Sequence, residues 1–131
     1  MRKAAVSFLV IVMCMFMFAG CGGKKTIEDQ ISKTQLQSMV DDMRNTPLFS
    51  TTYKDAKIKV EGNHVTFEYY YKMTFEPAQA AAMKETLENS GLDGQVTSLE
   101  KSLNRDYGVS DAKVTYVFYS GDGSVVAKVG D

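Results

Sequence analysis

The sequence predicts an α+β domain in which two β-hairpins form one antiparallel four-stranded sheet with helices on one face, in the order α-β-β-α-α-β-β. Residues 65–75 alternate between apolar and mostly polar side chains, as a strand with one buried face does. Shorter alternating runs supply the other strands, at residues 58–60, 112–118 and 125–129. Apolar residues at steps of three and four in the remaining segments indicate amphipathic helices, which would cover the apolar face of the sheet.

The first 20 residues have the features of a secretory signal. Two basic residues are followed by an apolar run over residues 4–18 and by small residues before Cys21. The run is shorter than the roughly 20 residues of a membrane-spanning helix, which disfavours a plain transmembrane anchor. The segment Phe18-Ala19-Gly20-Cys21 resembles the lipobox of bacterial lipoproteins, with Phe18 in place of the usual leucine. This resemblance implies that Cys21 receives a diacylglycerol and becomes the first residue of the mature protein.

This interpretation divides the chain into three parts. Residues 1–20 form a lipoprotein signal peptide, residues 21–31 the lipidated cysteine and a flexible tether, and residues 32–131 a single α+β globular domain. The small and polar residues after Cys21 are typical of flexible linkers. We therefore expect the protein to be held by its lipid on the outer, extracytoplasmic face of the cell membrane. The residues alone do not distinguish a Gram-positive host from a Gram-negative one.

The composition of the mature segment excludes several classes of protein. Removal of residues 1–20 leaves 111 residues, enough for one small domain, with 13 Lys or Arg and 16 Asp or Glu. Charges of both signs are interspersed, so no basic run indicates binding to nucleic acid. Cys14 belongs to the signal and Cys21 accepts the lipid, so we expect neither a disulfide nor thiol chemistry.

Local signals predict the first helix and the first hairpin of the domain. Ser32 and Gln35 have the spacing of a capping box and begin a helix over residues 33–45. Pro47 ends that helix, because the residue before a proline is disfavoured in helical geometry. Gly62-Asn63 can adopt the positive φ angles of a two-residue turn between the first two strands.

Comparable signals predict the second half of the domain. Pro77 suits the first position of a helix that ends near Gly91. Asp93 can cap a further helix, for which Gly108 is the terminator. Residues 120–124 are rich in glycine and serine and form the turn between the last two strands.

The domain lacks the residue sets that catalysis or metal binding requires. His64 is its one histidine and no cysteine follows Cys21, so a nucleophile with its base cannot be named. Asp122-Gly123-Ser124 lacks the periodic ligands of a calcium loop. Glu68 is the one acid on the predicted solvent face of its strand, whereas glycoside hydrolysis needs a pair of carboxylates. We therefore expect no enzymatic activity, no metal and no cofactor.

Three side chains form a candidate partner-binding patch. Tyr70, Val117 and Tyr119 fall at the positions of their strands that point away from the predicted core. If the hairpins share a sheet, these residues form one exposed patch, and tyrosine is enriched in protein interfaces. The alternatives are that a helix or the tether covers them, or that they are cross-strand packing pairs.

The strand and turn motifs also indicate a family. The chain resembles small lipoproteins of Gram-positive bacteria, chiefly Firmicutes, that are built around one domain of unknown function. The resemblance rests on Gly62-Asn63-His64-Val65-Thr66-Phe67-Glu68-Tyr69, on Val114-Thr115-Tyr116-Val117-Phe118-Tyr119 and on Asp122-Gly123, and it covers residues 32–131. It implies a location at the cell surface and no established activity, and it supplies no functional residues.

The leading functional hypothesis is therefore a non-enzymatic binding or accessory lipoprotein with a partner in the cell envelope. An alternative is an inhibitor or regulator of an envelope enzyme, for which a small single domain is suited. A further alternative is a small-ligand-binding lipoprotein, although a pocket of about 300–1,000 Å³ would consume much of so small a core.

Overall fold

A computed structural model of the protein describes residues 26–130. The elements within this range are, in order, α1 (Ile27–Gln30), α2 (Lys33–Arg44), α3 (Pro47–Thr52), β1 (Tyr53–Glu61), β2 (His64–Tyr71), α4 (Pro77–Glu88), α5 (Leu92–Tyr107), β3 (Lys113–Tyr119) and β4 (Val125–Gly130). The predicted signal peptide over residues 1–20 and the predicted lipid acceptor Cys21 lie outside the described residues.

The four strands form one mixed sheet in the order β1-β2-β3-β4. Strands β1 and β2 are antiparallel, as are β3 and β4, which confirms both predicted hairpins. Strands β2 and β3, however, run parallel. The prediction of a fully antiparallel sheet is therefore wrong at the centre. Parallel neighbours need a long crossover, and residues 72–112 provide one because helices α4 and α5 return the chain to the end where β2 begins.

Capping and proline chemistry decide where the first helices begin. The capping box at the start of α2 is present, with the Gln35 amide donating to Ser32 Oγ at 3.1 Å and the Ser32 amide to Gln35 Oε1 at 2.8 Å. This confirms the predicted start of the helix. Pro47 also begins α3, because its fixed φ suits the first helical position. Three helices therefore precede β1 among the described residues, where the sequence predicted one.

The hydrophobic core lies between one face of the sheet and the helices. Aromatic pairs across the parallel strands dominate it, with ring centroids 5.0 Å apart for Phe67 and Tyr116 and 5.3 Å apart for Tyr69 and Phe118. Such pairs add about 0.5–1.5 kcal/mol each beyond the burial of their area. The buried helical side chains that join this cluster are Ile27, Met39, Val40, Met43, Phe49, Leu87, Leu92, Val96, Leu99, Leu103 and Tyr107.

The start of the domain is fixed by α1, whose contacts with the β1–β2 turn we call the N-terminal clamp. Ile27 is fully buried, and its amide donates to Asn63 Oδ1 at 2.9 Å. Glu28 donates its amide to the Gly62 carbonyl and accepts the Gly62 amide at Oε1, both at 2.9 Å. Residues 26–31 fall within the segment 21–31, which the sequence predicts to be the lipidated cysteine and a flexible tether. In the structure they belong to the domain, because an apolar side chain enters the core and the turn satisfies the backbone beside it.

Candidate functional site

The face of the sheet opposite the core carries the candidate site. The strand register sets its side chains in rows, because residues directly opposite each other on paired strands project to the same side. We call two adjacent rows the tyrosine face: they are Asp55-Tyr70-Tyr119-Val125 and Lys57-Glu68-Val117-Lys128.

A stacked tyrosine pair stands at the centre of the first row. The rings of Tyr70 and Tyr119 lie with centroids 4.7 Å apart and planes 8° apart, and both side chains are half-buried. The parallel register of β2 and β3 makes this contact, since each tyrosine is near the end of its strand. An antiparallel pairing would have put the two residues at opposite ends of the sheet.

A buried carboxylate fixes the tyrosine pair in place. The side chain of Glu68 is 6% exposed. Its Oε2 accepts the hydroxyl of Tyr119 at 3.0 Å, and its Oε1 accepts the hydroxyl of Tyr70 at 3.4 Å. Lys59 Nζ lies 3.5 Å from Oε2 and supplies the opposite charge. The carboxylate thus has two donors and a cation, as a buried charge requires.

The protonation of the tyrosine pair follows from the same contacts. Burial and, after it, the charge of Glu68 raise the pKa of Tyr70 to about 12. Burial and the hydrogen bond to Glu68 likewise raise the pKa of Tyr119. A neighbouring carboxylate disfavours a phenolate. Both phenols therefore keep their protons at neutral pH and act as hydrogen-bond donors to Glu68.

An exposed valine extends the first row of the tyrosine face to the edge of the sheet. Val125 is 59% exposed and is paired with Tyr119 in the register. The sequence assigned Val125 to the core face by alternation. A register shift between Phe118 and Tyr119 changes that alternation, so Val126 joins the core instead. This bulge leaves an apolar side chain beside the tyrosine pair.

The second row contains Val117, the one residue of the predicted patch that is buried. Val117 is only 7% exposed, beside Glu68, so it supports the patch from within and does not line its surface. The ammonium of Lys57 lies 5.5 Å from the centroid of the Tyr70 ring, a cation–π contact. Lys128 is exposed at the other end of the row.

The remaining candidate groups have structural partners. His64 Nε2 is 2.7 Å from Thr115 Oγ1, with the two residues on neighbouring strands. Asp122 Oδ1 accepts the amide of Ser124 at 3.0 Å and its hydroxyl at 2.7 Å, which lowers the pKa of Asp122 and tightens the β3–β4 turn. Within residues 26–130, no group of three or more His, Cys, Asp or Glu is placed to hold a metal ion. In the same range, no helix has the length and hydropathy needed to cross a bilayer.

Sequence reasoning found the two tyrosines but missed three parts of the site. It treated Glu68 as solvent-facing, whereas the side chain is buried. The partner of Glu68 is Lys59, and this was foreseeable because both residues sit on non-core positions of one hairpin. The exposure of Val125 had no comparable signal, because it depends on the bulge between β3 and β4.

The fold and the tyrosine face define a small mixed α+β domain with one prominent aromatic surface. Residues 25–129 match the family described as "Domain of unknown function (DUF4854)", and the chain belongs to this family. The match confirms the expectation of a single domain of unknown function. No curated protein and no solved structure matches the chain. A lipoprotein character and an origin in the Firmicutes stay predictions.

Proposed function

We propose that the protein is a lipoprotein anchored through Cys21 on the extracytoplasmic face of the cell membrane, and that its domain binds a protein partner without enzymatic activity. The observation that carries the binding proposal is the stacked pair Tyr70–Tyr119 beside the exposed Val125. The lipid anchor and the binding face together would make the protein a non-enzymatic accessory protein of the cell envelope.

The order of segments at the start of the chain supports the anchor. A basic residue pair, a short apolar run and small residues precede Cys21, which is the arrangement of a cleaved export signal. The family match begins at residue 25, directly after the glycine-containing segment that follows Cys21. A diacylglycerol is sufficient for stable attachment, since two acyl chains hold a protein where one is marginal.

The composition of the tyrosine face supports a protein as the partner. Protein interfaces combine a centre rich in tyrosine with a polar rim. Here the rim carries both signs, with Lys57 and Lys128 on the second row and, beside the first, the ion pair of Asp55 with Arg44. A rim of mixed sign favours a protein surface over a polyanion, which would need a basic patch. Glu68 holds both tyrosines in one geometry before binding, which reduces the entropy lost on association.

The anchor is tested by lipid incorporation. Cells that express the full chain are grown with a labelled fatty acid, and the protein is isolated from membranes. We expect label on the wild type and none on Cys21→Ala, which should also leave the membrane fraction. A variant that keeps its label would exclude Cys21 as the acceptor.

The binding face is tested by site-specific photocrosslinking in cells. A photoreactive residue replaces Val125 on the tyrosine face or, as the matched control, Leu48 on α3, which is 49% exposed. We expect one discrete protein adduct from position 125 and none from position 48. Tyr70→Ala with Tyr119→Ala should weaken this adduct about 30-fold if the pair is a hot spot worth about 2 kcal/mol. Equal adducts from both positions, or an adduct that survives the double substitution in a folded protein, would contradict the proposal.

A further inference from the structure

The N-terminal clamp determines which end of the domain is nearest to Cys21. Besides the bonds of Ile27 and Glu28 to the β1–β2 turn, Gln30 Nε2 donates to the carbonyl of Tyr107 at 2.9 Å. The chain therefore enters the domain at the turn end of the sheet. Thr26, the first described residue, is five positions after Cys21. Five extended residues span at most about 17 Å, so the lipid and the turn end stay close.

The tyrosine pair lies at the other end of the sheet. Strands β2 and β3 both begin at the turn end, where the Lys113 amide donates to the Asn63 carbonyl at 3.0 Å. Both then run away from it in parallel, and each tyrosine follows the first residue of its strand by six positions. At about 3.3 Å per residue, the pair is about 20 Å farther from the clamp than the strand starts are.

The charge pattern opposes the rival arrangement, in which the tyrosine face lies flat on the bilayer. Lysines near an anionic surface contribute about 1 kcal/mol each, so a strongly basic face would be drawn to lipid. Beside the tyrosine face Lys59 is already paired with Glu68, and on the face itself Lys57 lies over Tyr70 while Lys128 is exposed. Asp55 on the same face is ion-paired with Arg44 at 2.7 Å, so these two charges offset each other.

We propose that the anchored domain stands with the β1–β2 turn toward the bilayer and presents the Tyr70–Tyr119 pair at its remote end to a protein in the extracytoplasmic space. This orientation rests on the proposed function, because it requires the lipid at Cys21. It limits the partner to proteins whose surface reaches beyond the lipid headgroups, and it excludes one that is confined to the membrane plane.

The orientation is tested by energy transfer from single labelled cysteines. Once Cys21 is acylated and the signal removed, the mature chain has no other thiol. A dye on Glu61→Cys labels the turn end, and a dye on Val125→Cys labels the first row of the tyrosine face. Both positions are exposed. The full lipidated protein is placed in vesicles of phosphatidylglycerol and phosphatidylethanolamine that carry an acceptor dye on the headgroup. We expect at least about twofold more efficient transfer from position 61, because it lies about 20 Å nearer the bilayer.

Equal transfer from the two positions, or stronger transfer from position 125, would overturn the orientation. Fatty-acid labelling of the same preparations separates this outcome from failure of the anchor. If the variants carry lipid and transfer is equal, the orientation alone is wrong. If Cys21 carries no lipid, the proposed anchor and the orientation are both wrong.

Discussion

Four tyrosines of the core face predict that the domain unfolds cooperatively in alkali. Tyr53, Tyr69, Tyr71 and Tyr116 are each at most 6% exposed. Burial is the main cause that raises the pKa of all four phenols, because the core cannot solvate a phenolate. In the unfolded chain the same groups ionise near pH 10. The unfolded state therefore loses its tyrosine protons before the folded state does.

The sign and size of the effect follow from linkage. Stabilisation by a group whose pKa is raised on folding is complete below the unfolded pKa and is lost as pH rises through the folded pKa. A tyrosine that keeps its proton in the folded state lowers the free energy of unfolding by about 1.4 kcal/mol at pH 11. Tyr53, Tyr69 and Tyr116 together lower it by about 4 kcal/mol, and Tyr71 acts in the same direction, against a total stability of about 5–15 kcal/mol for a typical domain. We expect unfolding within about two pH units above 10.

The assay follows phenolate absorbance and far-ultraviolet circular dichroism in the same alkaline titration. We expect the ionisation of the core tyrosines and the loss of dichroism to occur in one step. Tyr116→Phe serves as the matched variant and should make the fall in stability shallower by about 1.4 kcal/mol per pH unit. Ionisation of every tyrosine near pH 10 with native dichroism would show that these phenols are not buried, and the reasoning would be wrong.

Three further substitutions test the clamp, the carboxylate contact and the end of β4. Asn63→Ala removes the acceptor of the Ile27 amide and should cost about 1–3 kcal/mol, with faster hydrogen exchange at that amide. Tyr119→Phe removes a donor to Glu68 and should cost about 1 kcal/mol in denaturant unfolding. Gly130→Ala should cost more than about 1 kcal/mol and lower the thermal midpoint, because φ there is 98° and a Cβ would meet a backbone carbonyl.

Two of these variants have a comparison variant that isolates the cause of the lost stability. Asn89→Ala removes an exposed asparagine, so it should change stability by less than about 0.5 kcal/mol. Tyr70→Phe should cost less than Tyr119→Phe because its bond to Glu68 is longer, 3.4 Å against 3.0 Å. Equal losses within either pair would show that the named hydrogen bond is not the cause. A neutral Gly130→Ala would likewise exclude strain at that glycine.

Local chemistry made much of the fold predictable from the sequence. The Ser32–Gln35 capping box, the Gly62-Asn63 turn and the alternation over β2 each depend on residues within a few positions of one another. The direction of β3 relative to β2 is not set by such local residues, because it depends on how α4 and α5 carry the chain from the end of β2 to the start of β3. Alternation is the same for parallel and antiparallel neighbours, so it could not decide between them.

In the candidate site, too, some features follow from local sequence and others only from the fold. Parity along the strands correctly assigned Tyr70 and Tyr119 to the non-core face, but their stacking depends on the parallel register. Ile27 lay outside the predicted domain because Ile27 and Ile31 would fall on the face opposite the apolar residues of α2 if that helix were extended backwards. The separate short helix α1 explains that mismatch, since it ends before α2 begins and its buried residue needs no common face with it.

The parallel pairing of β2 with β3, at the centre of the sheet, also separates the folding of the molecule into two halves. Helices α2 and α3 pack on β1, whereas α4 packs on β4 and α5 on β3 and β4, so these helix–sheet contacts stay within one half of the chain. The β2–β3 pairing connects strands that are separated by residues 72–112, and such non-local pairings form slowly. Until they meet, β2 and β3 each present an unpaired edge. Exchange of C-terminal halves between two chains would satisfy the same edges, with residues 72–76 as the hinge, so domain swapping is the misassembly that this topology permits.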